Sequence, residues 1–340
     1  MADAALAARR HGVIIEEGHV RRLWCGAGLA GLTVALCAAL GPGMAAEPSA
    51  VVFMLDWFPN PDHVPLYAAQ AEGYFAQGGL RVTLQVPANP DDPLKLAAAG
   101  RVDVAVNYEP NVVMARAQDL PVRSIGLLID QPLTTVMFLQ RSGIRSPKDL
   151  VGRRVGFSVT GLEDALIDQI MRSDGASESN LQMVNVSFDL VPALLTRKVD
   201  AVVGAYRNVE RVQIELQGQP VGMFEPEKYG VPTFYELVLI ASDREIARRQ
   251  SVLRRFIQAV QRGIAFTQQH PDAAFADYVR ANLKLDDEFN RRSFRATLPF
   301  YARSQVQARA TWEAFDEWLA GHKVIPHAVP VGDLYVNLAP

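Results

Sequence analysis

The sequence predicts an α/β protein of two lobes, joined by two crossover strands, with a ligand cleft between them. Three observations carry that prediction. Apolar strand-like runs alternate with helix-period segments from residue 51 to 241, the pattern of largely parallel sheets. Two of the apolar runs, 133–140 and 234–241, lie between globular stretches and read as paired crossings. The chain has 340 residues, 49% hydrophobic and 21% charged, enough for two domains. One lobe then comprises 50–132 with 243–340, the other 141–233, and the crossings lie near 133–140 and 234–242. Such an arrangement closes about a hinge onto a ligand.

The first element is an export signal. Arg21-Arg22 precede an apolar run from Leu23 to Leu40, and small residues follow to Ala46. Charged region, apolar region and Ala-rich end are the layout of a cleaved secretory leader. It competes with a membrane anchor, for which the run is short and rich in Gly and Ala. Both cysteines, Cys25 and Cys37, lie in this segment, so the exported chain would hold no disulfide and no thiolate. Removing residues 1–46, with four basic and three acidic side chains, leaves 30 basic and 34 acidic, a charge of −4 against −3 for the whole chain. That balance argues against nucleic acid as a partner and suits a soluble exported protein.

The remaining elements follow in order. Val51 to Leu55 reads as a strand covered on both faces, stopped by Pro59 and Pro61, which cannot continue a ladder. Further strands are expected at 81–86, 102–106, 122–129, 154–158, 182–187 and 199–204. Helices are expected at 63–77, 91–99, 110–118, 161–173, 189–197 and 206–217. Ser146-Pro147 marks another helix start. After 242 the pattern turns helical. Asp243 can cap a helix over 244–269, with Ile246, Leu253, Phe256, Ile257, Val260 and Ile264 on one face. Pro271 opens the next, and others cover 286–303 and 309–321.

Several motifs together resemble a family. LDWFPNPDH (55–63) with LYAAQAEGYF (66–75) is similar to the opening of periplasmic binding proteins for thiamine pyrimidine precursors, the ThiY-like proteins. It is also similar to the fungal pyrimidine synthase of thiamine biosynthesis. NPDDPLKLAAAGRVDVAV (89–106), DLVGRRVGFSVTG (149–161), GAYRNVE (204–210) and KYGVPTFYELVL (228–239) extend the likeness. The resemblance implies a type II periplasmic binding fold that delivers its ligand to the permease of an ABC importer. It implies an amino-pyrimidine such as hydroxymethylpyrimidine or its formylaminomethyl analogue. The same fold could instead take riboflavin, a sulfonate or another solute. The synthase branch resembles a single-turnover enzyme that uses pyridoxal phosphate and consumes its own histidine. Asn107 stands where its lysine would be and Asn111 where its histidine would be. Val231-Pro232-Thr233-Phe234-Tyr235 replaces its cysteine-rich run. Asparagine can neither form the imine nor donate the ring atoms, so a binder without catalysis or cofactor is expected.

The candidate ligand residues sit at strand ends. Asp56 and Trp57 close the first strand, where open α/β sheets bind small molecules. By themselves they read as a strand-end cap and a core aromatic; with the resemblance they become ligand contacts, for a flat ligand with N–H donors. Neighbours on a strand face opposite sides, so one of the two can suffice. Asn107, Tyr108 and Glu109 follow a strand. Tyr108 can wall the cleft, and Glu109 either contacts ligand or favours a helix N-terminus. Ser158, Thr160 and Gly161 form a strand-to-helix loop whose N–H groups could cradle an oxyanion, although Glu163 and Asp164 just beyond oppose one. Tyr206 and Asn208 follow the strand at 199–204, and Glu210 reads as surface helix charge. Tyr235 and Glu236 lie in an apolar run, where a carboxylate needs a partner: an arginine, or the ligand's exocyclic amine, which is the reading adopted. His63 opens the first helix as a ligand contact or as a hydrogen-bonding helix start. His270, His322 and His327 show no metal spacing, so no metal is expected.

Overall fold

The computed structural model describes residues 47–338; the expected leader, with both cysteines, lies outside them. The chain opens with β1 (Ser49–Met54), α1 (Val64–Ala71), α2 (Tyr74–Gln77), β2 (Leu80–Gln85), α3 (Asp92–Ala98), β3 (Val104–Asn107), α4 (Glu109–Arg116) and β4 (Val122–Ile129). It continues with β5 (Thr134–Leu139), β6 (Arg154–Phe157), α5 (Leu162–Ser173), β7 (Gln182–Asn185), α6 (Leu190–Leu195), β8 (Ala201–Tyr206), α7 (Glu210–Leu216) and β9 (Val221–Phe224). It ends with β10 (Leu237–Ser242), α8 (Asp243–Gln269), α9 (Pro271–Ala281), α10 (Glu288–Thr297) and α11 (Arg309–Gly321).

Two five-stranded sheets result, in the orders β2-β1-β3-β10-β4 and β7-β6-β8-β5-β9. Each is mixed rather than largely parallel. β1 pairs parallel with β2 and β3, and β6 with β7 and β8. β10 and β5 run antiparallel to both neighbours. The reason is the connectivity: β10 and β5 are the strands by which the chain enters each sheet from the other, without a βαβ crossover to set them parallel. The two apolar runs expected as crossings therefore belong mainly to one sheet each. The passages themselves are the shorter stretches 130–133 and 225–236. Phe234, Tyr235 and Glu236 precede β10 instead of lying inside it.

Other boundaries moved for local reasons. The helix expected over 63–77 is a 3-10 turn (Pro61–His63) followed by α1 and α2, broken where Gly73 takes φ +71°. Asn60 caps the 3-10 turn, its side chain accepting from Asp62 N at 2.8 Å. Ser146-Pro147 starts only a 3-10 turn, Pro147–Leu150. The cap of α8 is Ser242, whose hydroxyl accepts from Glu245 N at 3.1 Å. Asp243 instead pairs with Arg116 and Arg123, each at 2.7 Å. β9 leaves little mark in the sequence, because Val-Gly-Met-Phe is short and shows no alternation.

One core surrounds the first sheet and takes in α8, through Leu253, Phe256, Ile257, Val260 and Ile264, and α11, through Trp312 and Phe315. Gly263 lets α8 lie against α1; a Cβ there would strike Pro65 O and Ala69. The second sheet carries a smaller core on each face. Among the described residues no helix is long and apolar enough to cross a membrane.

Candidate functional site

The site lies between the sheets, where the strands' carboxyl ends converge. One cavity is bounded by Asp56, Trp57, Asn60, Tyr108 and Glu236 from the first lobe. The second lobe supplies Thr134, Ser158, Val159, Glu163, Leu190, Gly204, Tyr206, Val209 and Glu210. The cavity's enclosed volume is about 30 Å³, room for about two waters. A heterocycle therefore requires the walls to part.

Asp56 is fixed by a chain of hydrogen bonds. Asn60 N–H donates to His63 Nδ1 at 3.3 Å, which puts the ring proton on Nε2. Nε2 in turn donates to Asp56 Oδ1 at 2.8 Å, and Tyr108 Oη donates to Oδ2 at 3.2 Å. Pro61 and the Asn60 cap set the 3-10 turn that aims His63 inward. His63 thus stands behind Asp56 and does not line the cavity.

Three more carboxyl groups face the same space. Glu236 Oε2 accepts from Leu133 N at 2.6 Å and Thr134 N at 2.9 Å, and Oε1 accepts from Thr134 Oγ1 at 2.7 Å. Burial raises its pKa against the lowering effect of those bonds. Its partners are therefore the outgoing passage, neither an arginine nor a free lone pair pointing at ligand alone. Glu163 Oε2 accepts from Ser158 N at 2.7 Å, and burial holds its pKa well above the carboxylate range. Gly204, at φ +92°, makes room for it; a Cβ there would collide with Glu163 Oε1. Glu210 accepts from Tyr206 N at 2.8 Å. It keeps some solvent contact, yet the protein atoms packed around it push its pKa up to about 7. Tyr206 Oη is buried without a partner. Trp57 meets Phe188 of the second lobe edge-on at 4.5 Å between ring centroids.

Of the residues expected from sequence, Asp56, Trp57, Tyr108, Ser158, Tyr206 and Glu236 come together around the cavity. The others sit elsewhere. Asn107 ends β3, buried, with Oδ1 unpartnered. Glu109 accepts from Tyr235 N at 2.6 Å, and burial pushes its pKa up to about 8. Tyr235 is buried away from the cavity beside Trp312, its hydroxyl accepting from Ala308 N at 2.8 Å. The loop expected to cradle an oxyanion has committed donors: Ser158 N to Glu163, Thr160 N to Asp91 at 3.4 Å and Gly161 N to Asp164 at 3.3 Å. Asn208 binds Asp62 and Thr297. Asn60, Thr134, Val159, Glu163, Leu190, Gly204, Val209 and Glu210 were not expected. Three carried a signal: Gly204 interrupts an apolar strand, and Glu163 and Glu210 stand in the first turns of the helices that follow β6 and β8.

No lysine, arginine or histidine lines the cavity. Carboxyl and hydroxyl oxygens dominate its polar lining, so it suits a ligand with N–H donors and disfavours anions. Among the described residues no group of three or more His, Cys, Asp or Glu is placed to hold a metal ion.

The family described as NMT1/THI5 like matches residues 60–274. A Haemophilus influenzae protein assigned to thiamine biosynthesis is 37% identical over 300 residues, 87% of this chain and 94% of the relative. The formylaminopyrimidine-binding protein of Halalkalibacterium halodurans is 33% identical over 300 residues, 85% and 90% of the two chains. The 4-amino-5-hydroxymethyl-2-methylpyrimidine phosphate synthase of Legionella pneumophila is 27% identical over 297 residues, 86% and 93%. Among solved structures, the alkanesulfonate-binding protein SsuA of Xanthomonas axonopodis pv. citri superposes with TM-score 0.67 at 15% identity, covering 86% of this chain and all of the other. That likeness shows the fold: a two-lobed α/β protein of the type II periplasmic binding class.

Proposed function

The chain belongs to the NMT1/THI5-like family, and from that premise we propose that it is the solute-binding component of an ABC importer for an amino-pyrimidine thiamine precursor. The observation that carries this reading is the cavity's lining: four carboxyl groups, no cation, and aromatic rings from both lobes. A 4-aminopyrimidine offers an exocyclic N–H beside a ring nitrogen. A carboxyl that keeps its proton accepts from the first with its carbonyl oxygen and donates to the second. Burial gives Glu163 that tendency. The same lining disfavours a sulfonate, whose negative oxygens would meet carboxyls. Ligand enters as the lobes part about 130–133 and 225–236 and is enclosed as they close. The exported, monomeric protein would then hand it to a membrane permease.

The second reading is the synthase, because relatives bear that name. Against it stands the absence of lysine and histidine from the lining. Isothermal titration with 4-amino-5-hydroxymethyl-2-methylpyrimidine, its formylaminomethyl analogue, a 4-deamino analogue and methanesulfonate tests the assignment. The two amino compounds should bind and the other two should not; preference for the sulfonate would overturn the ligand assignment.

A further inference from the structure

Asp62, Asn208 and Thr297 meet outside the cavity, where opening of the lobes would part Asn208 from the other two. Asp62 sits in the 3-10 turn after β1, in the first lobe. Asn208 lies between β8 and α7, in the second. Thr297 ends α10, whose Phe294 packs in the first lobe's core. The Asn208 amide spends both its N–H groups across that boundary, on Asp62 Oδ1 at 2.7 Å and Thr297 Oγ1 at 2.7 Å. Thr297 Oγ1 in turn donates to Ser293 O at 2.8 Å, so its position is fixed by its own helix. Asp62 and Thr297 are 0% exposed and Asn208 1%. None of the three lines the cavity.

We propose that Asn208 is a positioning residue: a latch that holds the lobes together over bound ligand and sets how long the ligand stays, without taking part in which ligand is chosen. An interaction shifts a conformational equilibrium only by the difference it makes between the two states. Here that difference is large, because both bonds exist only with the lobes together. Asp62 Oδ2 has no partner, so without Asn208 the enclosed carboxyl would gain most from opening to water. Burial pushes the pKa of Asp62 well above the carboxylate range, which fits a group whose favourable contacts in the closed form are few. The rim carrying Trp57 and Phe58 is clasped separately, by their contacts with Phe188 at 4.5 and 4.6 Å, so the polar latch can be removed by itself.

The kinetic half of this rests on the pyrimidine-binding reading; the conformational half does not. In stopped-flow binding of 4-amino-5-hydroxymethyl-2-methylpyrimidine and its formylaminomethyl analogue, Asn208→Ala should raise the dissociation rate about tenfold for both, with little change in association. Thr297→Val removes one of the two acceptors and should raise it about threefold, which keeps the test alive should the first variant not fold. Small-angle scattering without ligand should show a larger radius of gyration for folded Asn208→Ala than for wild type. A wild-type dissociation rate with a wild-type radius would overturn the latch, and a loss confined to one ligand would mean that Asn208 reads ligand chemistry instead. Should neither pyrimidine bind wild type, the ligand assignment fails while the scattering comparison still decides the latch.

Discussion

Truncating Glu236 should destabilise the protein through its passages rather than through its ligand. The side chain arises in the returning passage and takes two backbone donors from the outgoing one, Leu133 N at 2.6 Å and Thr134 N at 2.9 Å. It thereby ties the two passages to each other. Leu133 is 0% and Thr134 2% exposed, so in Glu236→Ala both N–H groups lose their partner away from bulk water. Each orphaned donor costs about 1–3 kcal/mol, which gives about 2–6 kcal/mol together. The burial penalty that the carboxyl itself carries moves the net figure toward the lower end. Glu236→Gln keeps one oxygen for both backbone donors and turns an NH₂ toward Thr134 Oγ1, which can accept; that change should cost under about 1.5 kcal/mol. Urea unfolding of the ligand-free proteins, read as a midpoint shift at constant slope, measures both. Glu236→Ala within about 0.5 kcal/mol of wild type, or Gln as damaging as Ala, would refute the reasoning and return Glu236 to a role with ligand alone.

Three further predictions follow from the site's electrostatics and backbone. Burial raises Glu109 from its ordinary 4.5 to about 8, so the folded form holds that proton more tightly than the unfolded form. The contribution is complete below about pH 4.5 and lost as pH rises toward 8; ligand-free stability should decline over that window, and Glu109→Gln should flatten the decline. Gly204→Ala forces a side chain onto Glu163 at φ +92° and should weaken pyrimidine binding about tenfold, while Gly218→Ala, at φ +67° with nothing within 4 Å, should leave affinity unchanged; equal effects would remove Glu163 from the argument. Incubation with pyridoxal phosphate and iron should give neither pyrimidine product nor imine absorbance by spectrophotometry, and detectable product would favour the synthase reading.

What the sequence by itself determined was whatever depends on chain-local chemistry. Alternating apolar runs and helical periods fix α/β layers wherever they fold, because each pattern can bury only one kind of face. Proline stops β1 just where Asp56 and Trp57 must then stand at a strand end, and strand ends are where such sheets bind ligand. The asparagines at 107 and 111 bear on catalysis by their identity, before any geometry. Tertiary structure alone decided which strand-end groups share one space. Glu109 and Tyr235 are as close to a strand end as Tyr108 and Glu236, yet they bond each other behind the wall. Strand direction, hence the mixed sheets, was set by which lobe a strand enters from, a property of the whole path. Glu163 needed Gly204, 41 positions away in sequence, to leave it room. Asn208 found Asp62 and Thr297 only because the two lobes lie against each other. Such pairings are long-range contacts, and a local pattern carries no record of what will be packed against it.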